Sequence, residues 1–297
     1  MSSEEQRYEE ALQLPVAPAD IRDAVLAELQ RTGDTVQRVS LEDWTRQSAV
    51  PDWRVGDVVA HLNLALGVYG RLMDLVVSGR TGSGILRKAG QFTKNIAPVA
   101  APAFNALNSA IPKVLDRALS PEVIKGQFAA GARTLREKLD RVGPNDYMKP
   151  VYYMGGPWPL SFFLTAVVNE LAIHGWDITS QLEPEAHLSS EARSLLPWFY
   201  WTATSWMFHP SKDMQGTIAV SLRDPNAEMW WSVAGTAVET GNGAPENADV
   251  TIRGQSGIFP LVLAGRISAE DALRTTSLTT EGNEELARQF LSKWKIV

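Results

Sequence analysis

The chain has 297 residues, of which 44% are hydrophobic and 21% are charged, and its formal net charge is −6. This composition is typical of a globular protein with one large domain or two smaller ones. Acidic and basic residues are spread along the chain without long runs. The sequence therefore contains no basic patch of the kind that would indicate a nucleic-acid partner. The sequence contains no cysteine, which excludes disulfides, thiolate zinc sites and a protein-borne sulfur nucleophile. Any thiol chemistry must therefore use sulfur supplied from outside.

The N-terminus and the apolar stretches argue against export and membrane insertion. Residues 1–18 are polar and acidic at their start, without the apolar core of a signal peptide, and we expect them to form a flexible lead-in. The uncharged stretches around 95–112, 151–169 and 194–211 are broken by prolines or polar groups, so none predicts a membrane span. We expect a cytoplasmic protein with no membrane partner. The sequence indicates no particular oligomeric state.

Helical periodicity dominates the first two thirds of the chain. The first predicted helix is capped by Asp20 and carries Ile21, Val25 and Leu29 on one face. Four further helices are predicted at 55–77, 120–142, 161–182 and about 190–208. The helix at 120–142 starts with Ser-Pro, which places proline at the first helical position. Four long helices within the first 182 residues predict a helical bundle. The last helix is rich in aromatic residues, which favours core or interdomain packing.

Residues 79–112 differ in character from the helices around them. Glycines at 79, 82, 84 and 90 lead into a run rich in alanine and proline. Two interpretations are open for this segment. It is either an insertion that forms a lid over a pocket or a loosely packed pair of short helices.

After His209 the periodicity changes from helical to alternating. Strands are predicted at 217–222, 228–233, 236–239, 248–253 and 277–280, with helices at 256–264 and 283–294. We therefore expect the break between domains to fall between residues 183 and 216. The assignment is a helical domain over 19–208 and a smaller α/β domain over 209–297, which gives an α+β fold class.

Three ionisable side chains share one face of the predicted fourth helix. Glu170 and His174 are four residues apart and Asp177 follows three residues later, within an otherwise apolar stretch. Burying such groups without partners is costly, and a metal ion is one explanation for them. A chance pairing of Glu and His is the other.

His61 lies beside the apolar stripe of the second helix, one turn after Asp57. It is either a core histidine with a neighbouring partner or a metal ligand. Asp57 is either an acid favoured by the helix dipole or a partner that fixes the His61 tautomer.

Two segments together resemble the mycothiol-dependent maleylpyruvate isomerase family. They are Trp-Arg-Val-Gly-Asp-Val-Val-Ala-His at 53–61 and Asn-Glu-Leu-Ala-Ile-His-Gly-Trp-Asp at 169–177. The resemblance implies a DinB-like four-helix bundle that holds a divalent metal, commonly zinc, through His61, Glu170 and His174. The second half is similar to that family's sterol-carrier-like domain, and Arg266 aligns with the family's active-site arginine. Asp57 and Asp177 would then support the histidines from behind.

The chemistry that this family implies agrees with the residues. Two histidines and one glutamate leave a metal position open, and a cation at that position favours the thiolate form of a small thiol such as mycothiol. A thiolate can isomerise an activated double bond in a small electrophile, or it can be transferred to the electrophile. The sequence does not choose between these outcomes, and segment 79–112 leaves the substrate open. The competing hypothesis is a metal-stabilised protein that binds a lipid or small molecule without catalysis.

Overall fold

The computed structural model describes residues 8–9, 11–79, 106, 108–153, 156–183 and 185–294. Most of the predicted insertion at 79–112 therefore lies outside the described residues, as does most of residues 1–10. The described residues form two compact units, Met1–His187 and Leu188–Val297. Among the described helices, none combines the length and the apolar character needed to cross a bilayer.

Besides helical residues at 8–9 and 11–12, the described part of the first unit contains the following helices and one small hairpin. They are α1 (Pro18–Arg38), α2 (Leu41–Trp44), α3 (Val55–Val77), α4 (residues 108–118), α5 (Pro121–Leu139), a 3-10 turn (Pro144–Asp146), β1 (Pro150–Tyr153), β2 (Gly156–Pro159) and α6 (Leu160–Thr179). The four long helices α1, α3, α5 and α6 pack in a ring, because α1 and α3 each contact both α5 and α6. This is the predicted four-helix bundle.

Helix α3 shows why these residues form the bundle. It begins after Arg54, whose backbone N–H donates to the Asp57 carboxylate at 2.8 Å. It ends at Val77 and is followed by Ser78 and by Gly79, which has φ 70°. The predicted bounds of 55–77 are confirmed. Along its length the side chains at Val55, Val58 and Leu62 are fully buried.

Several local predictions for the first unit need correction. Asp20 is not the cap of α1: the helix begins at Pro18, and Asp20 lies within its first turn. Helices α5 and α6 end at Leu139 and Thr179, three residues before the predicted ends. Residues 150–159, where the sequence analysis predicts no strand, form an antiparallel hairpin, in which Val151 pairs with Trp158.

The second unit is a five-stranded sheet with helices packed on it. Its elements are α7 (Ser190–Thr202), α8 (Thr204–Met207), β3 (Gln215–Arg223), β4 (Ala227–Ala234), β5 (Ala237–Asn242), β6 (Val250–Gln255), α9 (Ile258–Leu263), α10 (Ala269–Arg274), β7 (Leu278–Gly282) and α11 (Glu284–Ser292). The strand order is β5-β4-β3-β6-β7, and only the β3–β6 pairing is parallel. All five predicted strands are present, and the α+β class is confirmed.

The division between the units differs from the predicted boundary at 208 and 209. It falls between His187 and Leu188, inside the window of 183–216, so the aromatic helix α7 belongs to the second unit. The cause is the packing of α7: the Tyr200 and Trp294 rings meet edge to face at 5.7 Å, and Trp201 Nε1 donates to the Gly241 carbonyl at 3.2 Å. The predicted helix also breaks at Ala203, between α7 and α8.

Candidate metal centre

The bundle brings His61, Glu170 and His174 together. His61 comes from the second turn of α3, whereas Glu170 and His174 lie one turn apart on α6. One potential ligand atom from each residue lies within 4.8 Å of the other two. His61 Nε2 is 2.6 Å from Glu170 Oε1, and His174 Nε2 is 3.8 Å from the same oxygen. Both imidazoles are buried, with only 8% and 6% of the residue surface exposed.

Asp177 contacts the ring nitrogen of His174 that does not face Glu170. Its carboxylate is fully buried, and Oδ2 lies 2.8 Å from His174 Nδ1. A carboxylate accepts only, so the proton of the neutral imidazole sits on Nδ1 and the lone pair of Nε2 faces Glu170. This is the arrangement in which a carboxylate orients a ligating histidine. The structure therefore places Asp177 where the sequence prediction needs it.

Asp57 has a different partner from the one predicted. It is the third residue of α3, and its Oδ2 accepts the Arg54 backbone N–H. Its other oxygen, Oδ1, and His61 Nδ1 are both buried, and neither has a hydrogen-bond partner in the described structure. The structure thus pairs Asp57 with the N–H of Arg54 at the start of its helix and not with His61.

Trp53 forms a wall of the site that the sequence analysis did not assign. Its ring meets the His61 imidazole edge to face at 5.2 Å and lies parallel to the His174 imidazole, with centroids 6.4 Å apart. Its Nε1 lies 3.4 Å from Ser109 Oγ on α4. Its sequence signals were its position two residues before α3 and its place at the start of the segment 53–61 that resembles the family.

Two tyrosines adjoin Glu170 and were also missed. Burial raises the pKa of the Tyr69 and Tyr153 phenols, and the negative charge of Glu170 raises both further. Both hydroxyls therefore stay protonated at neutral pH and can act as hydrogen-bond donors. Tyr69 lies eight residues after His61 on α3, which is a helical spacing that could have suggested a shared face.

The three residues fit a divalent metal ion. Two imidazole nitrogens and one carboxylate oxygen are the donors that zinc and similar ions take, and three protein ligands leave a coordination position open. The nearby Nδ1 atom of His61 is buried without a partner in the described structure. His61 Nε2 and Glu170 Oε1 lie 2.6 Å apart, and a cation beside them could take the lone pair of each atom.

Arg266 belongs to the second unit. It follows Gly265, which has φ 69°, at the end of α9, and its guanidinium donates to the Ala264 carbonyl at 2.8 Å. The residue is half-buried. A role for Arg266 at the metal group stays a prediction.

Comparisons with known proteins identify both units. Residues 25–179 match the model of the mycothiol maleylpyruvate isomerase N-terminal domain, and residues 205–292 match that of the SCP-2 sterol transfer family. A crystal structure of the mycothiol-dependent maleylpyruvate isomerase aligns with 12% identity and a TM-score of 0.57, covering 90% of this chain and 93% of that chain. A histidine-to-alanine mutant of the isomerase aligns over the same shares of both chains, with 12% identity and a TM-score of 0.55. A search of curated proteins finds no match.

Proposed function

Because this chain belongs to the mycothiol maleylpyruvate isomerase family, we propose that it is a metal- and mycothiol-dependent isomerase of a small electrophilic substrate. The observation that carries the proposal is the convergence of His61, Glu170 and His174 from two helices. We propose these three as the metal ligands, with zinc as the ion. We also propose that the protein is cytoplasmic.

The metal and the thiol each supply one element of the chemistry. When bound, the cation provides a positive charge that lowers the pKa of a thiol near it. Mycothiol, when bound, would supply a thiolate able to add to an activated double bond and to leave again after rotation about it, so that the thiol is regenerated. Because the chain has no cysteine, an external thiol is the source of sulfur that its composition allows.

The protein's own residues hold and enclose this site. Asp177 keeps His174 in one tautomer and one orientation through its 2.8 Å contact. Trp53 packs beside both imidazoles, with ring centroids 5.2 Å from His61 and 6.4 Å from His174, and both histidines are buried. A drier surrounding strengthens every charge interaction within the site.

We propose Arg266 as the group that binds a carboxylate of the thiol or the substrate. A guanidinium matches a carboxylate with two parallel N–H donors, which lysine cannot reproduce. Arg266→Lys should then raise KM or lower kcat while the zinc content stays at the parent level. Unchanged kinetic constants in Arg266→Lys would refute this role for Arg266.

A lipid-binding function is less well supported by the second unit. Trp231 packs against Phe259, Phe290 and Trp294 with ring centroids 5.0–6.4 Å apart, so aromatic side chains fill this part of the interior. A cleft of about 710 Å³ in the same unit is lined in part by Arg223, Glu228 and Arg253. Charged side chains are unsuited to a sterol or an acyl chain.

The test is an assay of the purified zinc-loaded protein with maleylpyruvate, with and without mycothiol. The expected result is conversion to the trans isomer that requires mycothiol and consumes none of it. A thiol–substrate adduct in the mass spectrum would favour S-transfer instead. No turnover of this or other electrophiles, together with a co-purifying lipid, would overturn the enzyme assignment.

A further inference from the structure

The two candidate histidine ligands differ in what holds their imidazoles. His174 has a hydrogen-bond partner, because the buried Asp177 carboxylate lies 2.8 Å from its Nδ1. The Nδ1 atom of His61 is buried, and no described residue supplies it with a hydrogen-bond partner. Asp57, the carboxylate nearest to it in sequence, accepts the Arg54 N–H instead. Contacts other than a hydrogen bond at Nδ1 must therefore set the orientation of the His61 ring.

Aromatic rings lie on two sides of the His61 imidazole. Its centroid is 5.2 Å from that of Trp53 and 4.7 Å from that of His174. The planes of these two neighbours are nearly parallel, at 8° to each other, and they cross the His61 plane at 64° and 68°. Such distances and angles are those of edge-to-face ring contacts. Rotation of the His61 ring about its last side-chain bond would therefore break the contacts with both neighbours.

Trp53 is held in place by contacts that do not involve the histidines. Only 7% of the residue is exposed, and its indole Nε1 donates to Ser109 Oγ on α4 at 3.4 Å. Its backbone N–H donates to the Val50 carbonyl at 3.2 Å, and its carbonyl accepts the Ser48 N–H at 2.9 Å. Both the backbone and the side chain of Trp53 are thus fixed, and its ring is a firm surface beside the His61 imidazole.

We propose that Trp53 is a positioning residue that holds the His61 imidazole in the orientation needed for metal binding, the role that Asp177 has for His174. The inference rests on the proposed function in one respect, namely that the two histidines are metal ligands. A histidine side chain has two rotatable bonds, and a ligand whose orientation is fixed in advance loses less conformational entropy when the metal binds. Removal of the indole should therefore weaken metal binding and change the coordination geometry in a bundle that stays folded.

The alternative is that Trp53 only fills space in the core. Two substitutions of similar volume separate these roles, because Trp53→Phe keeps an aromatic ring beside His61 and Trp53→Leu removes it. Trp53→Met replaces the leucine variant if that variant does not fold, since a methionine side chain adapts to an irregular cavity. Trp44→Leu is the matched control. Trp44 is a buried tryptophan of the same unit whose indole hydrogen-bonds Asp116 and lies 5.8 Å from Lys125 Nζ.

The measurement is the zinc dissociation constant of the full-length protein by chelator competition, together with the absorption spectrum of the cobalt-substituted form. Trp53→Leu should weaken zinc binding by about 2- to 10-fold, the effect expected from the loss of an aromatic contact, and should alter the cobalt bands, which report the ligand geometry. Trp53→Phe should recover most of the parent's affinity and spectrum. Trp44→Leu should lower the thermal midpoint and match the parent in both metal measurements. Thermal unfolding of each metal-free protein separates loss of affinity from loss of fold.

Parent affinity and an unchanged cobalt spectrum in Trp53→Leu would overturn this inference. Equal changes in Trp53→Phe and Trp53→Leu would overturn it too, as would an equal loss of affinity in Trp44→Leu. Failure of the proposed function has a different signature. A parent protein that binds zinc but shows no mycothiol-dependent turnover would refute the isomerase and leave the role of Trp53 intact. A parent protein that binds no zinc would refute both.

Discussion

Replacing Asp177 by asparagine should weaken metal binding at the candidate centre by about 10- to 100-fold while the bundle stays folded. The carboxylate is fully buried and its Oδ2 lies 2.8 Å from His174 Nδ1. Asparagine has nearly the same volume and can still accept this hydrogen bond, but it lacks the negative charge. A charge-assisted bond is roughly twice as strong as a neutral one. A 10- to 100-fold change in affinity corresponds to about 1.4–2.7 kcal/mol. The difference between a charged and a neutral hydrogen bond, about 0.5–2 kcal/mol, overlaps the lower part of that range.

The assay for Asp177→Asn is chelator competition for zinc, with circular dichroism of the metal-free protein as the check on folding. Asp74→Asn is the matched control, because it removes the same charge from an exposed carboxylate whose partner is Lys138 at 2.8 Å. The control should bind zinc as the parent does. Equal zinc affinity in Asp177→Asn and the parent would refute the reasoning, and so would the same loss in Asp74→Asn.

Two further predictions concern the start of α3. Gly56→Ala should lower the free energy of unfolding by about 1–3 kcal/mol, because the added Cβ would lie 2.2 Å from both Asp116 Oδ1 and Trp44 Nε1. The measurement is urea unfolding of Gly56→Ala and of the control Gly67→Ala, in which the new Cβ meets nothing within 4 Å. Equal stability of the two variants would contradict the prediction. Burial raises the pKa of the Asp116 carboxyl above its ordinary value of 3.8, and the negative charge of Asp57 raises it further. Between the ordinary and the raised pKa, the folded protein keeps a proton that the unfolded chain has released. The free energy of unfolding therefore falls as the pH rises through this range. Asp116→Asn should therefore have a higher thermal midpoint than the parent at pH 7, and this difference should be smaller at pH 4. A midpoint below the parent's at pH 7 would contradict the prediction.

The long helices could be predicted because their signals are local. In α3 the apolar stripe, the first-turn acid and the closing glycine all lie within the segment itself. Glu170 and His174 were accessible for the same reason, since one helical turn brings them together. His61 needed the family resemblance, because only the packing of α3 on α6 brings it to Glu170, 109 residues away in sequence.

The missed features depend on contacts between distant parts of the chain. The hairpin β1–β2 has prolines at 150, 157 and 159 and reads as a loop, yet pairing of Val151 with Trp158 makes it two strands. Trp53 and Tyr69 are ordinary core aromatics in the sequence, and only the folded bundle places them against the imidazoles and Glu170. For Asp57 the reverse holds, because a local helix cap takes the carboxylate that the sequence analysis assigned to His61.

Metal analysis of the purified protein beside His61→Ala and Glu170→Ala tests the central claim most directly. The three chains should be produced without affinity-tag histidines and analysed after the same dialysis. The account predicts about one zinc ion per chain in the parent and almost none in either variant, because each variant removes one of three ligands. Equal metal content in all three proteins would contradict it.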